Sequence, residues 1–304
     1  MSHAAVHRRS SALGADLVSL AVCSLIWGTT WRVIKLQYGV VPPLESVVYR
    51  FTLAAVLLFI LCRVTRQPMA LTRRQHLFAF AQGAFGFGLQ YALVYLSEET
   101  LASGAVAVIF AAVVFVNLVV FRLAAGQRAP WPAWLAALLG LAGVAAMSLS
   151  QVRAPGASGE APLAVGAAFG GVLASVFGNL FAARAHGAGA ATAPGTAWAM
   201  AYGAALLAAY VGLTGQPWRF DTSPAYLGSL TYLAVLGSVT AFLVFYALAR
   251  RRGYAFASYV AALTPPTAMI LSSFTESARW GADALIGLAL VLAGQVLLIR
   301  GTRA

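Results

Sequence analysis

Apolar residues run along this chain in long blocks separated by short polar breaks. Crossing the hydrocarbon of a bilayer takes about 20 mostly apolar residues in a helix. Blocks of that kind recur at 17–36, 45–63, 75–96, 101–122, 132–150, 161–184, 195–214, 225–249, 255–274 and 281–299. The breaks, among them "GVVPPLES", "RVTRQPMALTRRQ", "SEET", "RAPGASGEAP" and "TESARWGAD", gather Gly, Pro and charge as loops do. None has room for a soluble domain. The pattern predicts an all-α integral membrane protein with ten transmembrane helices.

Charge orients these helices. With the N-terminus cytoplasmic and the spans alternating, the inner segments hold Arg8, Arg9, Arg63, Arg66, Arg73, Arg74, Arg122, Arg128, Arg184, Arg250, Arg251, Arg252, Arg300 and Arg303. These are most of the chain's 20 basic residues, and only Arg153, Arg219 and Arg279 fall in outer loops. The acids do the reverse: Glu45, Glu98, Glu99, Glu160, Asp221, Glu276 and Asp283 lie outside, and Asp16 alone lies inside. Lys and Arg in short loops set membrane orientation, so both termini are expected in the cytoplasm.

Composition agrees. The chain is 61% hydrophobic and 9% charged, with a mean hydropathy of +0.82, where soluble domains are about one quarter charged. The net charge of +12 therefore reports topology and not a nucleic-acid partner. Cys23 and Cys62 lie in apolar runs and read as packing residues, not as a disulfide framework or metal site. The stretch "MSHAAVHRRSSALGAD" leads into a run too long for a signal-peptide core and without a small-x-small cleavage site, so it reads as a tail before a retained first helix. His3, His7, His76 and His186 fall in inner loops or at helix ends. No nucleophilic triad, phosphate loop or zinc spacing is present. Neither an enzyme nor a cofactor is expected.

A weak internal repeat is visible. "QYALVYLSEETLASGAVAVIFAAVVFVNLVVFRLAAGQR" leads to "WLAALLGLAGVAAM", and "AFLVFYALARRRGYAFASYVAALTPPTAMILSSFTESAR" leads to "ALIGLALVLAGQVLL". Five helices per copy is an odd number, so the second copy must insert upside down. Inverted repeats are a transporter architecture, with the substrate site between the halves near the midplane. The expected organisation is a tail at 1–16, a first five-helix repeat at 17–152 and a second, inverted repeat at 153–300.

The helix-one "SLIWGTTW", the "PPLESVVYRFTLAAVLL" that follows, and the paired glycines of the closing helices (Gly140 with Gly143, Gly287 with Gly294) resemble the EamA type of the drug/metabolite transporter superfamily, over essentially the whole chain. One feature departs from that pattern. The family often ends helix four with a Glu before the basic turn; the first half reads "RLAAGQR" without it, whereas the second half reads "TESAR" with Glu276. Aromatic content and length are most similar to YddG-type amino-acid exporters. The resemblance implies export by a multi-pass protein of the bacterial inner membrane.

Candidate site residues follow from polar and aromatic groups at depth. Trp27 and Gly28 lie too deep in helix one for an interfacial belt, and Thr29 and Thr30 can satisfy loosened carbonyls. Trp31 reads as a belt aromatic and Arg32 and Lys35 as snorkelling anchors. In helix three, Gln82, Gly86 and Gln90 share one face at helical spacing, beside a stripe of Phe87, Tyr91 and Tyr95. The inverted counterpart in helix eight holds Ser238, Thr240, Phe242, Phe245 and Tyr246. Asn117 and Asn179 are lone amides that serve either substrate or packing. Pro265-Pro266 removes two helix bonds and, with Gly28, is a candidate hinge. Arg50 either holds a substrate carboxylate or has a structural role, bonding helix carbonyls or Glu45.

The expected cavity is thus lined by helices one, three, four, six, eight and nine, with Trp27, Thr30, Gln82, Gly86, Gln90, Tyr91, Tyr95, Asn117, Asn179, Thr240, Phe242 and Tyr246 as its residues. Such walls suit small amphipathic solutes such as aromatic and other neutral amino acids, carried by a monomer in the bilayer. Because no carboxylate lies mid-span, transport is expected to be facilitated, without a buried acid to relay protons. Alternatives are a carrier of nucleotide-sugar-like or phosphorylated metabolites, or a non-transport membrane subunit.

Overall fold

The computed structural model describes the main chain of residues 3–126, 130–153 and 159–301. Arg128 and Arg303, and the side chains of His3, His7, Arg8, Arg9 and Arg300, lie outside what it describes. Among the described residues there are helices and no strands. Helix α1 (His3–Ile34) continues through a 3-10 turn at Lys35–Gln37. It is followed by α2 (Pro43–Val64), α3 (Arg73–Thr100), α4 (Ser103–Ala124), α5 (Trp131–Arg153), α6 (Ala161–Gly187), α7 (Thr192–Leu213) and α8 (Pro224–Arg252). Eight described helices, α1 to α8, are long and apolar enough to cross a membrane. The single turn Tyr254–Ala257, α9 (Val260–Thr275) and α10 (Ala282–Gly301) complete the series.

Start and stop signals explain the boundaries. Thr72 accepts from Gln75 N while Gln75 reaches back to Thr72 N, a capping box that opens α3. Ser223 caps Tyr226 N at the head of α8, with Pro224 in the first turn. Gly126 closes α4 with a φ of 64°, a left-handed value glycine adopts at little cost. Outward faces carry Leu25, Val56, Ile60, Leu138, Leu163 and Phe274 exposed, as lipid-facing surfaces require.

Small residues set how closely the helices pack. α5 crosses α10 where a Cβ on Gly143 would lie 2.5 Å from Gly287 O, and one on Gly287 would lie 2.8 Å from Gly143 O. Helices in lipid gain by such backbone approach because no hydrophobic drive separates them from the tails. α2 lies along α7, α1 along α9, and α3 along α6.

Two irregular segments matter for the site. α3 widens to a π-helix at Gly83–Leu89, and α8 does so at Val235–Thr240. π segments free carbonyls and redirect side chains, often at functional positions. Each is the third helix of its five in the sequence-derived repeat.

Three expectations need correction. The break near the prolines falls earlier, at Ser258–Tyr259, and Pro265 and Pro266 sit inside α9 as a continuous helix. Both lie beyond the first turn of that helix, so each still removes one main-chain bond. The acids are not all loop groups: Glu98 lies in α3 and is 0% exposed, and Glu45 in the first turn of α2 is 2% exposed. The polar "SEET" resembles a loop, but packing of neighbouring helix ends buries its first acid. Trp31 and Lys35 are likewise turned inward, as described next, and do not serve as interfacial anchors.

Candidate functional site

A cavity of about 100 Å³ lies inside the bundle, walled by α1, α3, α4, α6, α8 and α9 and the turn before α9. These are the six helices that the sequence pattern assigns. Its aromatic wall is Trp27, Trp31, Tyr91, Phe110, Phe242 and Phe245. Its polar groups are Thr30, Gln90, Ser175, Asn179, Ser258 and Thr264, and none of the lining side chains is charged.

Trp27 is fixed at the centre of this wall. Its Nε1 donates to Gly237 O at 3.1 Å, a carbonyl loosened by the π segment of α8. Its ring packs on Phe242 at 5.1 Å and on Phe245 at 5.3 Å. Edge-on ring contacts of this kind add to burial alone. Thr30 bonds back to Trp27 O at 2.8 Å, so its methyl and not its hydroxyl carries the contact with α8. Gly28, one residue on from Trp27, lies against α9: a Cβ there would meet Thr267 Cβ at 2.9 Å.

Two buried polar atoms at or behind the wall have no partner among the described residues. Trp31 packs on Phe110 at 5.2 Å, and its buried Nε1 has no partner among the described residues. Asn117 donates to Ser258 Oγ at 2.9 Å while its Oδ1 is unpaired. It thus braces a lining residue from behind. A buried polar atom without a partner costs free energy unless something else supplies the bond.

The other sequence-derived residues stand outside the wall. Gln82 lies beside the Tyr246 hydroxyl, and the Tyr246 ring stacks 5.6 Å from Phe242, so both lie behind the aromatic wall. Gly86 meets Gly178 of α6: a Cβ on Gly178 would lie 2.7 Å from Gly86 Cα. It is a helix contact and not a lining position. Thr240 bonds its own π segment at Val235 O, 3.0 Å away. Tyr95 donates to Gln37 Oε1 at 2.7 Å, on the side of the cavity towards Glu98. The sequence pattern missed Trp31, Phe110, Ser175, Ser258 and Thr264 as lining groups, whereas Phe245 stands in the helix-eight stripe it singled out. The two serines and Thr264 had a usable signal, as lone hydroxyls in apolar helices.

Beside the cavity lies a buried charged cluster. Arg50, 1% exposed, reaches from α2 to Ser238 Oγ at 3.0 Å, with longer contacts of 3.5 Å to Tyr95 Oη and Gly237 O. Its guanidinium lies 4.6 Å from the ring centre of Tyr91, a lining residue. Glu45 does not pair with it; that carboxylate accepts from Arg219 N at 2.7 Å. Lys35, the single lysine of the chain, donates to the main-chain carbonyls of Glu98 and of Leu101 where α3 ends. Glu276, just past α9, accepts from Ser103 N at 3.0 Å and from the Ser103 hydroxyl at the start of α4. Burial, reinforced by Glu98 and its neighbours, holds the Tyr38 hydroxyl far above its ordinary range, so it is a fixed donor to Tyr95 O at 2.7 Å.

Known proteins bear on this geometry. Residues 16–149 match the EamA-like transporter family. Protein PagO of Salmonella typhimurium is 33% identical over 88 residues, 29% of this chain and 29% of its own. A protein of Buchnera aphidicola subsp. Schlechtendalia chinensis, named an uncharacterized transporter in the trpA 3' region, is 29% identical over 110 residues, 35% of this chain and 36% of its own. The alignments thus span about a third of these curated relatives. A crystal structure superposes over 95% of this chain and 98% of its own with a TM-score of 0.70 at 16% identity, a likeness of fold alone. Together the helices of membrane length and the match over residues 16–149 describe a multi-pass membrane protein similar to EamA-like transporters.

Proposed function

We propose that the chain is a transporter of the drug/metabolite superfamily that exports aromatic and other neutral amino acids by alternating access. In this reading it crosses the inner membrane of a bacterium ten times, as two inverted five-helix halves with both termini in the cytoplasm. The observation that carries the substrate class is the cavity wall: six aromatic side chains, with the amides of Gln90 and Asn179 and several hydroxyls among them, and no charge among its lining residues. Such a surface stacks on an apolar or aromatic side chain and hydrogen-bonds a small polar head. The π segments in α3 and α8 and the reciprocal Gly143–Gly287 crossing support the two-half arrangement.

The rival reading is a carrier of nucleotide-sugar-like or phosphorylated metabolites. It needs several fixed cations on the wall; none of Arg32, Lys35 and Arg50 lines it, and of the three Arg50 stands behind the lining Tyr91, a single cation that suits one carboxylate.

The test uses purified protein in liposomes loaded with a panel of amino acids and sugar phosphates. Efflux of phenylalanine, tryptophan and leucine, lost in Trp27→Ala, is the expected result. Efflux of sugar phosphates alone would overturn the reading.

A further inference from the structure

Glu98 is the most anomalous side chain in the structure. It is 0% exposed, and neither carboxyl oxygen has a hydrogen-bond partner among the described residues. An ionised carboxylate without donors in a dry interior is very costly, whereas the neutral acid is tolerated. Two cations lie near it without forming an ion pair. Lys35 is turned to main-chain carbonyls, and Arg50 is held by a hydroxyl, a ring face and two contacts at 3.5 Å. Ion pairs among the described residues involve Asp16 alone.

The groups that face Glu98 are few. α1 and the turn after it bring Lys35 and Tyr38, α2 brings Arg50, α3 brings Tyr95 and Glu99, and the end of α9 brings Glu276. α4 contributes Ser103, which is bound to Glu276. Arg50 stands next to the cavity wall: its guanidinium lies over the ring of the lining Tyr91, and a Cβ on Gly237 would touch both Thr30 Cγ2 at 2.8 Å and Arg50 Nη2 at 3.2 Å.

We propose that Glu98 is a proton-binding site coupled to the substrate's carboxylate. The Arg50–Lys35 cations accept one negative charge at a time, either that of Glu98 or that of the substrate, so each substrate anion enters with one proton. The balance is simple. Glu98 carboxylate, a proton from water and the substrate carboxylate go to the neutral Glu98 acid and a substrate carboxylate facing Arg50. This inference rests on the amino-acid reading for its substrate, but not for the proton site, and it replaces the sequence-based expectation of transport without a buried acid.

The experiment has a ligand-free arm and a transport arm. Infrared difference spectra of the full-length protein are recorded across a pH series. Wild type is expected to show a protonated-carboxyl C=O band that is absent in Glu98→Gln and that persists to higher pH in Arg50→Gln. Identical spectra for wild type and E98Q, or a band unmoved in R50Q, would overturn the proposal. Should E98Q not assemble, Glu98→Asp must shift the frequency of the same band. In liposomes, apparent phenylalanine affinity is expected to weaken about tenfold per pH unit above the titration of Glu98, the limit for one linked proton, and to be flat in E98Q. A slope retained in E98Q would also overturn it. If no amino acid is moved, the substrate reading fails while the spectra still decide the proton site.

Discussion

The helix junctions at the two ends of the bundle do the same topological job with different chemistry. At the junction of α3 and α4, charged groups tie the main chain: Lys35 holds the carbonyls of Glu98 and Leu101, and Glu276 holds Ser103. At the junction of α8 and α9, rings do the tying. Tyr254 stacks on Phe121 at 5.6 Å, lies 6.3 Å from both Phe245 and Tyr246, and touches His186 Nδ1 through its hydroxyl at 3.3 Å. The ion pairs on that side, Asp16 with Arg251 and Arg252, involve arginine side chains 49% and 43% exposed and so lie at the rim. The first half lacks a Glu at the position where the second half has Glu276, and this difference in sequence becomes a difference in latch.

The π segments make a parallel contrast. In α3 the segment is used for packing, since a Cβ on Gly83 would lie 2.3 Å from Ala199 O and 2.9 Å from Gly203 N. In α8 it is used for polar contacts, since Gly237 O receives Trp27 and Arg50. The largest expected effect comes from breaking the first: Gly83→Val drives a side chain into the backbone of α7 and should cost about 1–3 kcal/mol or more, read as a lowered Tm in detergent or a failure to assemble. Gly237→Ala meets movable side-chain atoms, so the protein should fold and lose transport. A Gly83→Val protein with wild-type Tm would remove the contrast.

Next in size is the charged latch. Lys35→Met leaves two carbonyls without their donor, at about 1–3 kcal/mol for an unsatisfied buried group. The expected outcome is a lower Tm and faster labelling of a cysteine placed at Ser103. If labelling stays slow, Lys35 does not hold that junction closed.

The ring latch should lose less. Tyr254→Phe keeps every ring contact and removes one neutral hydrogen bond, about 0.5–1.5 kcal/mol, and transport should keep its pH profile. A changed profile would mean that the two latches are not chemically distinct. Asp16→Asn removes both ion pairs of a side chain that is itself 4% exposed while its arginine partners are about half-exposed; the expected outcome is a lower Tm at low salt and a smaller difference at high salt.

Periodicity by itself determined the helical class and the positions of the eight helices long enough to cross a membrane, because spans of ~20 apolar residues are local properties of the chain. Trp27, Gln90, Tyr91 and Phe242 were legible as candidates because large or polar side chains at depth stand out against an apolar run. Direction around a helix was not legible to the same degree. Gly86 and Gln90 are one turn apart in sequence, yet one meets Gly178 and the other lines the cavity, since the π segment between them rotates the register. The polar ends of helices were least legible. "SEET" and "RVIKL" have the composition of loop and interface, and only the convergence of α1, α2, α3 and α9 buried Glu98 and drew the half-buried Lys35 onto main-chain carbonyls. Burial of a charge is a property of what packs over it, and that is decided by tertiary structure alone.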